Sequence, residues 1–180
     1  MRVLLVTLAA CLFVLPVHAK YSGGTGEPND PYQIATAADL IALGETPGDY
    51  YKHFILTADI DLDPNLPGRK VFDRAVIAPD VNDAAEYGFQ FPFQGTSFTG
   101  VFDGTGHTIF HLTIQGKSYA GLFGQLMPGA EVRNLSLVDV HCRAEGGEPR
   151  GLVVRNDGEI VRQRHVNVVG ANMAEADADG

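Results

Sequence analysis

Phe98-Thr99-Gly100-Val101-Phe102-Asp103-Gly104-Thr105-Gly106-His107-Thr108-Ile109-Phe110-His111-Leu112-Thr113-Ile114 is the stretch on which the fold turns. It sets short alternating apolar runs on either side of a Gly-rich corner. Its opening Gly-Val-Phe at 100–102 returns as Gly-Leu-Phe at 121–123 and again as Gly-Leu-Val at 151–153. Runs of matching strand character lie at 108–114, 131–137 and 159–162. Recurrence at roughly 20 to 30 residues marks a solenoid, in which one coil cannot bury its apolar face alone. Helical repeats are excluded, because each unit carries Gly, β-branched residues and period-2 alternation where a helix needs a 3.6 period. The expected architecture is therefore all-β, with coils of short parallel strands stacking Val, Leu, Ile and Phe on the same types in the next coil. Each such buried side chain contributes about 1.5 to 3 kcal/mol. Corners fall at 103–106, 128–129, 146–147 and 156–158, where Gly or Asn tolerates left-handed backbone angles.

Upstream, Phe54, Leu56, Ala58, Ile60 and Leu62 alternate with Ile55, Thr57, Asp59, Asp61 and Asp63, which predicts one half-buried strand with an acidic wet face. Val71-Phe72 and Ala75 to Ala78 are strand candidates, and 79–92 reads as a long polar loop. Thr36-Ala37-Ala38-Asp39 is a capping-box variant that starts a short helix at 37–43, with Gly44 as its stop. So short a helix persists only if Leu40, Ile41 and Leu43 pack on something, and an open solenoid end offers such a surface. Residues 20–35 form a Gly- and Pro-punctuated lead-in to it.

Composition narrows the function classes. With 13 Lys+Arg against 22 Asp+Glu and a net charge of -9, the chain lacks the basic stripe that nucleic acid requires. Met1-Arg2, the apolar run 3–17 and Val17-His18-Ala19 have the layout of a secretory signal peptide cleaved after Ala19. The run is short for a bilayer span, so no membrane span is expected. Leu8-Ala9-Ala10-Cys11 resembles a lipoprotein processing box, but the apolar residues continue beyond it. Loss of Cys11 leaves Cys142 alone, and it is expected in the core beside Val140.

The stretch 98–109 with Leu112-Thr113-Ile114, Tyr119-Ala120-Gly121-Leu122-Phe123-Gly124 and Val132-Arg133-Asn134-Leu135 resembles the secreted bacterial β-helix proteins that carry GLUG repeats. The lead-in at 24–34, Asp39-Leu40 and residues 56–62 are similar to how such proteins begin. The resemblance implies a right-handed parallel β-helix with a short N-terminal capping helix, and a surface or adhesion role. The domains so expected are a signal peptide at 1–19, the lead-in and capping helix at 20–53, GLUG-like coils at 54–154, and a degenerate last coil with a poorly ordered tail at 155–180. At that end Val154 stands where the family places Gly and Arg162-Gln163-Arg164-His165 replaces a strand, which suggests a shortened member.

Chemistry-bearing residues are sparse. Asp59, Asp61, Asp63 and Asn65 are the best Ca²⁺ candidate, since alternate strand residues project the same way, but Pro64 and Lys70 stand where an EF-hand needs Gly and Glu. They read first as a solvated acidic row that discourages edge pairing. His107 and His111 are four apart as helical zinc ligands are, yet they sit in a strand. His53, His141 and His165 are isolated. Asp73, Asp80, Asp83 and Glu86 could supply the carboxylate pair of a glycosidase. Tyr21, Tyr32, Tyr50, Tyr51, Tyr87 and Tyr119 are possible sugar platforms, and Phe89, Phe91 and Phe93 read as core. No residue is assigned a catalytic, cofactor-binding or metal-binding role, and no cofactor is expected. The sequence points to a secreted or cell-surface structural or adhesion module, non-catalytic, with an extracellular glycan or surface protein as partner. The alternatives are a carbohydrate-active β-helix enzyme, lyase or hydrolase, and a non-functional truncated fragment.

Overall fold

The computed structural model describes residues 20–81, 93–116, 121–144, 162–169 and 172–175, with Ala144 and the last two stretches given by backbone alone. Its elements are β1 (Tyr32–Ile34), α1 (Ala37–Gly44), a 3-10 turn (Pro47–Asp49), β2 (His53–Leu56), β3 (Ile60–Asp61), β4 (Val101–Asp103), β5 (Thr108–Phe110), β6 (Thr113–Gly116), β7 (Glu131–Val138), β8 (His141–Ala144), β9 (Arg162–Val169) and β10 (Asn172–Glu175). The chain is all-β in class, with parallel strands in a seven-stranded sheet ordered β1-β2-β4-β7-β5-β3, β9 pairing β7, and a three-stranded sheet ordered β10-β8-β6.

The register explains the repeat. His53 pairs with Val101, Val101 with Glu131 and Glu131 with Arg162, so the chain comes back to one sheet position at each of these four points. The step from Gly100 to Gly121 is not such a return. Phe102 lies beside Phe54 and Val132, whereas Phe123 pairs with Ile77. Both Gly-apolar-Phe motifs lead to a buried Phe, which is a local requirement and carries no period of its own.

Side chains at equal register stack in the core. Phe54, Phe102 and Val132 form one column, Ile60, Ile109 and Leu137 a second, and Phe72, Ile114 and Cys142 a third, all buried. Phe98 joins them, with ring centroids 6.1 Å from Tyr50, 6.1 Å from Phe54 and 5.1 Å from Phe123.

Corners interrupt two runs expected to be single strands. Residues 54–62 split into β2 and β3 at Thr57 to Asp59, although Phe54, Leu56, Ile60 and Leu62 keep their inward parity and only Ala58 is half-exposed. Residues 108–114 split into β5 and β6 at His111, whose φ of 54° is left-handed. Alternation runs unchanged through the first corner, whereas at the second the inward parity passes from Ile109 to Leu112 and Ile114, which a strict period of two does not give. Phe72 and Ile77 make isolated parallel pairs with Ile114 and Phe123 instead of strands. β9 and β10 are strands inside the segment read as a degenerate coil, and β9 begins at Arg162, where the strand was expected to be lost.

The helix forms as its capping box dictates. Thr36 Oγ1 accepts from Asp39 N at 3.1 Å while Asp39 Oδ2 accepts from Thr36 N at 3.0 Å, an arrangement worth about 1 kcal/mol. Leu40 and Leu43 are buried in the core beside β1. Gly44 is not the left-handed stop expected of it: Glu45 caps the helix with a φ of −85°. Gly44 instead admits a close neighbour, since a Cβ there would lie 2.0 Å from the Val76 carbonyl oxygen. Among the described residues no helix is long and apolar enough to cross a membrane. Residues 1–19, 82–92, 146–147, 151–153, 156–158 and 176–180, on which the expected leader, most of the expected loop, two of the expected corners, the third Gly-apolar motif and the end of the chain fall, lie outside the described residues.

Candidate functional site

Parallel register carries the acidic row and the two histidines of the key stretch to the same outer surface. β3 pairs with β5 through Ile60↔Ile109, and the polar residues flanking those buried positions meet outside. Asp59 Oδ1 accepts from His107 Nδ1 at 3.2 Å and from Thr108 N at 2.9 Å. Asp61 Oδ1 accepts from His111 Nδ1 at 2.8 Å and from Asp63 N at 2.9 Å. Asp63 Oδ1 in turn accepts from Asn65 N at 2.9 Å and Asn65 Nδ2 at 2.7 Å. The Thr108 amide foremost holds Asp59 below the usual carboxylate range, and the His111 imidazole foremost does the same for Asp61. Every acid of the row is thus engaged with protein donors. Among the described residues no group of three or more His, Cys, Asp or Glu is placed to hold a metal ion.

A second network crosses β4 and β7. Asp103 Oδ2 accepts from Arg133 Nε at 2.7 Å, and Asp103 Oδ1 accepts from Asn134 Nδ2 at 3.0 Å and Thr105 N at 2.9 Å. Arg133 Nη1 also lies 3.1 Å from Glu131. Burial pushes the Asp103 pKa up, but the donors, Arg133 first, outweigh it and the carboxyl lies below its ordinary value. Such a group stabilises the fold above its unfolded pKa of about 3.9 and loses that contribution as pH falls through the lower folded value. Asp103→Asn is expected to cost about 1 to 2 kcal/mol at neutral pH, discounted because the Arg133 side chain is 38% exposed, and to flatten the loss of stability below about pH 4. Urea midpoints of both proteins across that range measure it.

The outer surface of β6 and β8 differs. Thr113 stands beside His141 and Gln115 beside Arg143, in the parity opposite to buried Ile114 and Cys142. Gln115, His141 and Arg143 are exposed, and none makes a side-chain hydrogen bond or ion pair with another described residue. Their selection needed the strand pairing, although the signal was present as parity around 114 and 142.

The remaining candidates scatter. Asp73 pairs with Arg74 at 3.2 Å, and Asp80 accepts from Gln94 N at 3.0 Å, while Asp83 and Glu86 lie outside the described residues. Tyr21 and Tyr50 are buried and Tyr32 half-buried; Tyr51 is 63% exposed with Lys52 Nζ 5.0 Å from its ring centroid. Tyr87, Tyr119, Phe89 and Phe91 lie outside the described residues. His53 is half-buried in β2, and of His165 only its backbone position in β9 is described. Cys142 is a buried free thiol, pushed by burial to a pKa of about 11, which makes it unreactive.

No family model matches the chain, and no solved structure matches it. It is 33% identical over 145 residues, 77% of its length, to halomucin of Haloquadratum walsbyi, where the match covers 1% of that protein. It is also 33% identical over 132 residues, 70% of its length, to a protein named as a Gly-rich membrane protein of Evansella cellulosilytica, where the match covers 13%. The chain therefore spans only a small part of either relative.

Proposed function

We propose that the chain is a right-handed parallel β-helix of the GLUG-repeat type, capped by α1, and a secreted or cell-surface module that holds a glycan ligand without turning it over. The return to one sheet position at Val101, Glu131 and Arg162 supports the solenoid, and crossovers between parallel strands are right-handed in nearly all folds. The names of the two relatives, halomucin and a Gly-rich membrane protein, and the apolar run at 3–17 support a surface location.

The observation that carries the binding role is the contrast between two outer faces. Polar groups at Asp59, Asp61, Asp63, Asn65, His107 and His111 are spent on one another, whereas Gln115, His141 and Arg143 stand exposed on paired strands with no side-chain hydrogen bond or ion pair among the described residues. A guanidinium beside an amide and an imidazole, with no acid among Thr113, Gln115, His141 and Arg143, fits a carboxylated or sulfated sugar chain. The absence of an exposed apolar anchor among these four favours a glycan over a protein ligand.

The full chain is titrated with alginate, polygalacturonate and a sulfated polysaccharide by calorimetry, while new reducing ends and unsaturated uronides are followed. Binding without product, weakened about tenfold or more by Arg143→Glu, is the expected result. Product release would replace the adhesion reading with a carbohydrate-active enzyme. Failure of all three polyanions to bind would remove the glycan.

A further inference from the structure

His111 occupies a position that hydrogen-bond accounting alone does not explain. It stands at the corner between β5 and β6 with φ 54°, and Asp139 stands at the corner between β7 and β8 with φ 52°. Neither residue is glycine, so both corners hold a conformation that L side chains rarely adopt. The imidazole lies between carboxylates from two other strand layers, with Nδ1 2.8 Å from Asp61 Oδ1 and Nε2 3.9 Å from Asp139 Oδ2. The backbone ties the same corners: His111 N donates to Val138 O at 3.0 Å, and His141 N donates to Leu112 O at 2.8 Å.

A neutral imidazole has one N–H and one lone pair. With Nδ1–H donated to Asp61, a neutral ring turns its Nε2 lone pair toward the Asp139 carboxylate, acceptor against acceptor. Only the imidazolium suits both carboxylates at once. We propose that His111 is a protonation-dependent clamp that joins three successive strand layers, through Asp61 on one side and Asp139 on the other, and that its deprotonation loosens the β7–β8 corner from the β5–β6 corner.

Among the other charged groups around it the nearby acid favours the imidazolium, and the cation Arg69 is engaged elsewhere. Asp63 follows β3 and adds negative charge; Arg69, from the same loop, is turned to the Asp61 carbonyl at 3.1 Å; Asp59 and His107 pair at the far end of β3 and β5; His141 opens β8. The hydrogen bond to Asp61 foremost, against desolvation, raises the His111 pKa above its ordinary value. A raised folded pKa gives a contribution fully present below the unfolded value of about 6.5 and lost as pH rises through the folded value. The clamp is therefore closed on the acid side and open on the alkaline side.

The test is an NMR titration of the His111 ring in the full chain, with amide exchange at His111 and His141 corrected for intrinsic pH dependence. In the wild type the ring titrates above 6.5 and both amides lose protection several-fold through that titration. Asp139→Asn lowers the midpoint while leaving the Asp61 bond, and Asp61→Asn lowers it further, since the hydrogen bond to Asp61 is the largest cause of the rise. His111→Asn, chosen because Asn tolerates a left-handed φ, removes the pH dependence of exchange. A wild-type midpoint at or below 6.5, a midpoint that Asp139→Asn does not move, or protection that is flat across the titration overturns the clamp.

Discussion

Gly100→Ala is expected to destabilise the chain by about 3 kcal/mol or more, enough to remove most of the stability of a domain of this size. A Cβ at Gly100 would lie 2.0 Å from the Lys52 carbonyl oxygen and 2.9 Å from the Tyr51 carbonyl carbon. Both neighbours are backbone, so no side chain can swing aside. Nor is the residue free to shift, because Gly100 N donates to Tyr50 O at 2.8 Å and Gly100 O accepts from Glu131 N at 3.0 Å. Relief would require β4 to part from β2 or β7. Gly48→Ala is the matched control: nothing lies within 4 Å of a Cβ there, and its effect is expected to stay within about 0.5 kcal/mol. Urea unfolding followed by circular dichroism compares the two, and similar midpoints for both variants would refute the close-approach role.

Phe98→Ala carries the second large effect, a loss of about 3 to 5 kcal/mol. The ring is fully buried where Tyr50, Phe54 and Phe123 converge, and its backbone pairs with Leu126 across the next layer. Truncation would open a cavity whose walls are held by parallel pairing on both sides and can collapse only in part. Val101→Ala, further along the same stretch and half-exposed on the outer side of β4, is expected to cost no more than about 1 kcal/mol. Tyrosine fluorescence serves as the probe, since the chain has no Trp. Equal losses at 98 and 101 would contradict the parity assigned to this stretch.

The inward set was legible because burial has a period. Phe54, Leu56, Ile60 and Leu62 are buried as their alternation predicts, whereas Ile109 and Ile114 are both buried at opposite parity across the His111 corner, and the Thr36–Asp39 box starts its helix where the spacing requires. Recurrence of strand-like runs was also visible, but so was the misleading step from Gly100 to Gly121, and only pairing separates a return to the same sheet position from a local corner motif. The first return, from His53 to Val101, is the longest, because Phe72, Ile77 and Phe98 punctuate an extended path without forming strands. Gly44 departs from its expected role for a related reason: a glycine that ends a helix and a glycine that admits a carbonyl look alike until the neighbour is known.

The polar residues divide along the same line. Asp59, Asp61, His107 and His111 stood out as possible ligands, yet register spends them on each other across distant parts of the chain. Asp139, Gln115 and Arg143 carry no sequence signal of their own, and the tertiary structure gives Asp139 an ion-pair position and leaves Gln115 and Arg143 exposed, without a side-chain partner among the described residues. Local periodicity, capping chemistry and composition are enough to give the all-β class, the inward face of residues 54–62, the capped helix and the net acidic charge. Which strand pairs with which, where a run turns a corner and whether a polar group finds a partner depend on residues distant in the chain, so they emerge only in the folded structure.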